Sequence, residues 1–164
     1  RQQRRLMKAI FPIVKQIGRE AFQSCLMLEN VFAPLCTEIG QGTFNMCQNL
    51  RQVKINPQVV RQFTFAHTGI QQLSLPNVVE IEGYSFMDSS MRQLYVPKCQ
   101  KIGSGAFQGI RRNIEIVCDI DEFPADSDLK KKHKIVMRSL IDAQMDQIQN
   151  LLKQIAKQGQ FAKQ

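Results

Sequence analysis

The sequence predicts an α/β-type repeat solenoid with a parallel sheet of about six short strands, followed by a long C-terminal α-helix. Three observations carry that prediction. Phenylalanine recurs at Phe22, Phe44, Phe65, Phe86 and Phe107, with spacings of 22, 21, 21 and 21 residues. Proline keeps step with it at Pro12, Pro34, Pro57, Pro76 and Pro97. Past Cys118 the period stops, and an apolar seam with spacings of four and three residues takes over.

Each unit holds the same parts in the same order. First comes a short alternating segment, Ala9-x-Phe11, Val31-x-Ala33, Val53-x-Ile55, Leu73-x-Leu75, Leu94-x-Val96 and, closing the series, Ile114-x-Ile116. Period-two alternation is the mark of a strand with one buried face. A proline follows the first five, which suits a strand end where no ladder N–H is required. Next comes an aliphatic anchor five residues before each Phe: Ile17, Ile39, Val60, Ile81 and Ile102. Gly18, Gly40 and Gly103 follow three of these anchors, and a tight turn with positive φ is expected there. One such unit cannot bury its apolar residues alone, but stacked units share a continuous core. The third unit departs from the pattern, reading as an insertion of Asn56 before Pro57 and a replacement of Ile-Gly by Val60-Arg61. The last is short from Phe107 to Ile114, which reads as the termination of the stack.

Segments such as LSLPNVVEIEGYSF (Leu73 to Phe86) and LYVPKCQKIGSGAF (Leu94 to Phe107) resemble the BspA-like subclass of leucine-rich repeats over about residues 6 to 118. The resemblance implies a curved leucine-rich-repeat solenoid that serves as a protein-interaction or adhesion scaffold, often in surface antigens. It also implies binding on the open, concave sheet face. With Val31, Val53, Leu73, Leu94 and Ile114 directed inward, their neighbours form that face. The residue before each supplies Asn30, Gln52, Gln72, Gln93 and Asn113, a row expected to stack as an amide ladder. The residue after each supplies Phe32, Lys54, Ser74, Tyr95 and Glu115, a mixed row in which Phe32 and Tyr95 are the candidate aromatic anchors.

The repeat also supplies its own internal comparison. Cys36 and Cys99 occupy a position held elsewhere by Val14 and Val78, so they read as buried stand-ins for valine. Cys25 and Cys47 alternate with Thr68 and Ser89, and lie on neighbouring rungs where oxidation is conceivable. His67 shares its position with Ser24, Met46, Asp88 and Gly109, a variability that points to a surface turn. A Cys47–His67 catalytic pair lacks an orienting third group. Gly40-x-Gly42 and Gly103-x-Gly105 complete no phosphate-binding motif. With two histidines and no CxxC, a zinc site lacks ligands at the usual spacing. No enzymatic activity, cofactor or metal is expected.

Residues 1–118 make up the solenoid, in about five to six units of 21–23 residues, and 119–127 an acidic linker. A helix is expected over 128–158, with Ile141, Met145, Ile148, Leu152 and Ile155 as its seam. Two heptads allow either capping of the solenoid or pairing with another chain, including a homo-oligomer. The net charge is +8, from 22 Lys and Arg against 14 Asp and Glu. That excess invites nucleic acid or another polyanion as an alternative partner, in a ribonucleoprotein or an acidic cytoskeletal polymer. The run from Lys130 to Lys134 reads either as a solvated helix face or as a nucleic-acid patch. No apolar run is long enough for a membrane span. With no methionine or apolar leader at Arg1, a targeting peptide is expected to be absent or removed. Five cysteines and no Asn-x-Ser/Thr sequon favour a cytoplasmic, reducing compartment over the cell surface.

Overall fold

The computed structural model describes residues 6–118, 120, 134–137 and 148–149 of the chain. Its principal strands are β1 (Lys8–Ile10), β3 (Asn30–Phe32), β5 (Gln52–Lys54), β7 (Gln72–Ser74), β9 (Gln93–Tyr95) and β11 (Glu115–Cys118). Between them lie two-residue strands at the aliphatic anchors: β2 (Gln16–Ile17), β4 (Glu38–Ile39), β6 (Val59–Val60), β8 (Glu80–Ile81) and β10 (Lys101–Ile102). All pairings are parallel and join equivalent positions of successive units, for example Asn30 with Gln52 and Leu73 with Leu94. The chain is therefore a coil of like turns, with a second ladder where a single sheet was expected.

The core is a column of side chains repeated rung by rung. Phe22, Phe44, Phe65, Phe86 and Phe107 stack with ring centroids 5.4–5.6 Å apart and interplanar angles of 4–13°. Each aromatic pair adds about 0.5–1.5 kcal/mol beyond the burial of its area. In the first described unit Phe11, where later units carry Ala33, Ile55, Leu75 and Val96, tilts over Phe22 at 6.0 Å. The larger residue adds an aromatic contact to that ring. Beside the stack, the hydroxyls of Thr43 and Thr64 donate to carbonyls of their own turn, Gly40 O at 2.7 Å and Arg61 O at 2.8 Å. Thr43 also reaches Gly18 O in the preceding rung, and Ser85 bonds Glu82 O and Arg61 O in the same manner. The buried hydroxyls of Thr43, Thr64 and Ser85 thus find acceptors in the turn carbonyls.

Among the described residues positive φ is confined to two positions of the repeat, two residues before and two after the stacked Phe. The first holds Glu20, Gly42, Phe63, Tyr84 and Gly105, and the second Ser24, Met46, His67, Asp88 and Gly109, with φ between 50° and 77°. Seven of these ten are not glycine, a conformation that costs about 1–2 kcal/mol per residue. The second position directs its N–H onto the next rung: Met46 N meets Ala66 O at 3.0 Å and His67 N meets Met87 O at 2.8 Å. The surface turn read at His67 and its equivalents is this left-handed turn. Gly18, Gly40 and Gly103 are not among the residues with positive φ, so the expectation for them is corrected. Gly40 and Gly103 instead permit close approach, since a Cβ would lie 2.3 Å from Arg19 N and 2.4 Å from Gly83 N.

The third unit is shorter, not longer, at its first corner. Five residues separate Ile55 from Val60, against six from Ala33 to Ile39, Leu75 to Ile81 and Val96 to Ile102. Counted back from the anchor, Pro57 is buried at the core position of Cys36, Val78 and Cys99; counted forward from the strand, Asn56 stands where the other units have proline. Unlike a proline, Asn56 donates its N–H, to Cys36 O at 2.9 Å, and its Oδ1 accepts from Asn77 Nδ2 at 2.8 Å. The missing residue interrupts both ladders. No ladder joins β4 to β6 or β5 to β7, which splits the principal sheet into β1-β3-β5 and β7-β9-β11. Across the break the turns remain linked, through Phe44 N to Thr64 O at 3.0 Å and Phe65 N to Ser85 O at 2.8 Å.

Two corrections concern the C-terminal end. Glu115, Ile116 and Val117 pair with Gln93, Leu94 and Tyr95, so the register lies two residues beyond the one expected. Phe107 to Ile116 is then nine residues, as from Phe22 to Val31, and the last unit is not short. Lys134–Met137, inside the range expected to be helical, form β12, parallel to β11 with Lys134 opposite Glu115. A helix from residue 128 does not run through those four residues. Ile148 and Gln149 have helical backbone, whereas Ile141, Met145, Leu152 and Ile155 lie outside the described residues. No described helix is long and apolar enough to cross a membrane.

Candidate functional site: the open sheet face

The principal strands bury their central residue and expose the two beside it, because successive side chains alternate across a sheet. In β1, β7 and β9 the order is exposed, buried, exposed. Register then aligns the outward residues into two rows. One runs Lys8, Asn30 and Gln52, then Gln72, Gln93 and Glu115. The other runs Ile10, Phe32 and Lys54, then Ser74, Tyr95 and Val117. Eight of the expected site residues, Asn30, Phe32, Gln52, Lys54, Gln72, Ser74, Gln93 and Tyr95, fall where alternation placed them. Glu115 moves to the first row, and Asn113 precedes the strand and is not in the ladder. Val117, missed in the sequence, takes the place assigned to Glu115. The signal that finds it is the spacing of nine residues from Phe107 to Ile116.

The first row does not form the expected amide ladder. Gln93 Nε2 donates to Glu115 Oε2 at 3.2 Å, and among the described residues no side-chain bond joins Asn30, Gln52 and Gln72. Their amides are thus available to an incoming backbone. In the second row the side chains of Ile10, Phe32 and Tyr95 are 65%, 45% and 43% exposed. Ile10 and Phe32 are directly opposite each other, with Lys54 next in register. Tyr95 borders a shallow cleft of about 500 Å³ over β7, β9 and β11, which Gln72, Ser74, Gln93 and Val117 also line. Each half of the sheet therefore offers one aromatic side chain beside donors and acceptors. Such a surface can hold an extended or irregular protein segment by apolar anchoring and hydrogen bonding.

The cysteines belong to the core. All five are buried. The thiols of Cys36 and Cys99 donate to Glu38 O at 3.2 Å and Lys101 O at 3.4 Å, the same contact in two units. Cys47 donates to Phe22 O at 3.0 Å, and burial pushes its pKa up to about 12. A thiol held neutral in this way is a poor nucleophile at neutral pH. The ring of His67, the base it would need, lies 3.8 Å from Asp88 instead. Among the described residues no three His, Cys, Asp or Glu side chains cluster as metal ligands.

Parallel strands, like turns and a shared aromatic column define the class, a repeat solenoid built of stacked parallel-stranded turns. The chain matches the BspA type leucine rich repeat region in six copies over residues 5–124, more than half its length. It belongs to the BspA-type leucine-rich-repeat family. That membership suggests a protein-interaction scaffold and goes with a fold that is typically non-enzymatic. No curated protein and no solved structure matches the chain significantly.

Proposed function

We propose that the chain is a non-enzymatic scaffold that binds a protein partner through the open, concave face made by β1, β3, β5, β7, β9 and β11. The observation that carries this reading is the pair of aromatic side chains, Phe32 and Tyr95, exposed on rigid strands while the stacked phenylalanines Phe44, Phe65 and Phe86 are wholly buried. Aromatic anchors on a pre-ordered surface lose little conformational freedom on binding, so the apolar area they cover is turned efficiently into affinity. The unlinked amides of Asn30, Gln52 and Gln72 supply the polar partners around them.

Replacing Phe32 and Tyr95 together by serine is expected to leave the thermal melt unchanged, since neither ring is in the core. Affinity for a partner isolated from the native source is expected to fall at least tenfold (about 1.4 kcal/mol). Unchanged affinity overturns the assignment. The salt dependence of the parent separates this reading from the polyanion alternative. An aromatic contact changes little between low and physiological ionic strength, whereas nucleic acid held by Lys and Arg is lost steeply.

A further inference from the structure

The segments that lead from each stacked Phe into the next strand come in two lengths. Six residues separate Cys25 from Val31, Cys47 from Val53 and Ile110 from Ile116; five separate Thr68 from Leu73 and Ser89 from Leu94. Segments of like length stack directly, but a long one against a short one leaves a gap. The structure meets this mismatch twice. Between the third and fourth units Arg51 fills it, donating from Nη1 to Gly69 O at 2.6 Å. Between the fifth and sixth units nothing fills it, and a cleft of about 510 Å³ remains.

This open cleft is lined by Arg92, Arg111 and Arg112, with Asp88 as the opposing charge. None of the three guanidinium groups has an ion pair among the described residues, whereas Arg19 and Arg61 are each paired with a glutamate. Asp88 is itself 3.8 Å from His67 Nδ1. Ser89, 7% exposed, lines the same cleft, and its Oγ has no hydrogen-bond partner. The repeat shows how unusual that is: at the equivalent position Thr68 donates to Phe65 O at 2.8 Å and Cys47 to Phe22 O at 3.0 Å. Arg92, Arg111 and Arg112 are exposed and stay hydrated, so the free-energy cost falls on the buried Ser89 hydroxyl alone, while the three guanidinium groups remain open to an anion.

We propose that this cleft binds a phosphate monoester. A phosphate group is doubly charged and presents three acceptor oxygens, matching the forked guanidinium donors of Arg92, Arg111 and Arg112. The cleft is larger than the anion alone requires and is open to the surface, so it accommodates the group to which the phosphate is esterified. The ester is either a small molecule or a phosphorylated side chain, and both present the same chemistry to these residues. The site is separate from the sheet-face reading and stands or falls independently of it.

The test is a titration of the isotopically labelled full chain, followed by amide resonances, with inorganic phosphate, with phenyl phosphate, and with a phosphoserine peptide and its unphosphorylated form. Shifts are expected to concentrate at Ser89, Ser90 and Gly109 to Arg112. The double variant R111Q/R112Q is expected to bind at least about tenfold more weakly. K15Q, exposed and outside both the cleft and the sheet face, is expected to bind as the parent does, and the spectra of the variants away from the cleft report that they are folded. Tighter binding of the phosphopeptide than of phenyl phosphate assigns the site to a phosphorylated side chain. Equal binding of the two assigns it to a small ester, and either supports the proposal. Shifts of equal size at Lys8, Lys54 and Lys101, or affinity unchanged in R111Q/R112Q, overturn it.

Discussion

Phe65→Ala is expected to destabilise the chain by about 3–5 kcal/mol, the range for removing a fully buried aromatic ring. Phe65 is wholly buried and sits in the middle of the column, 5.6 Å from Phe44 and 5.4 Å from Phe86. Its removal takes away two stacking contacts and opens a cavity in a rung whose two flanking strand ladders are already interrupted. In a one-dimensional stack, stability comes from the coupling of neighbours, so a gap at the centre is felt more than one at an end. The same change at Phe22, which is only half-buried under Phe11, is expected to cost less. Denaturant melts of the two variants check this. A midpoint for Phe65→Ala as high as that for Phe22→Ala contradicts a continuous aromatic core.

Gly40→Ala is the second large effect, expected at about 1–3 kcal/mol. The added Cβ would lie 2.3 Å from Arg19 N, 2.6 Å from Arg19 Cα and 2.6 Å from Gly18 C, all backbone atoms of the preceding rung that no side-chain rotation can move away. Gly18 occupies the same place in the motif, but a Cβ there meets nothing within 4 Å. Gly18→Ala is therefore expected to be neutral or mildly stabilising, since alanine restricts the unfolded chain. Calorimetric melts of the pair separate an inter-rung role from a turn role. Equal losses at both positions contradict the close-approach account.

The same pair of glycines shows what the sequence could and could not reveal. The recurrence of Ile-Gly marked a constrained site, but its cause lies between rungs, and a single unit does not display its neighbour. The positive φ expected there lies two residues further on, at Gly42 and Gly105, in a position that also accepts Phe63 and Tyr84. Those aromatic residues hide it from a reading that associates left-handed backbone with glycine. Their rings stack on each other at 5.6 Å.

The outward rows were legible because alternation in a strand fixes which residues share a face. The register of β11 was not, because Ile114, Ile116 and Cys118 are all buried and fit the alternation equally well. Only the pairing with β9 chooses among them. The third unit misled for a related reason. A proline near the usual place looked like the repeat's own proline displaced by an insertion, when Pro57 had taken a core position after a deletion. β12 was concealed by an apolar stretch whose composition suits a helix as well as a strand.

Tyr95 and Tyr84 make the central claim directly testable, because they are almost equally exposed, 43% and 39%, but sit on the open sheet face and on the turn before Phe86 respectively. Hydroxyl-radical footprinting of the chain, free and bound to a partner from its native source, compares them within one sample. Modification of Tyr95 and Phe32 is expected to fall sharply on binding, with Tyr84 unchanged. Protection of Tyr84 with Phe32 and Tyr95 left as reactive as in the free chain would place the partner on the turns and contradict a sheet-face scaffold.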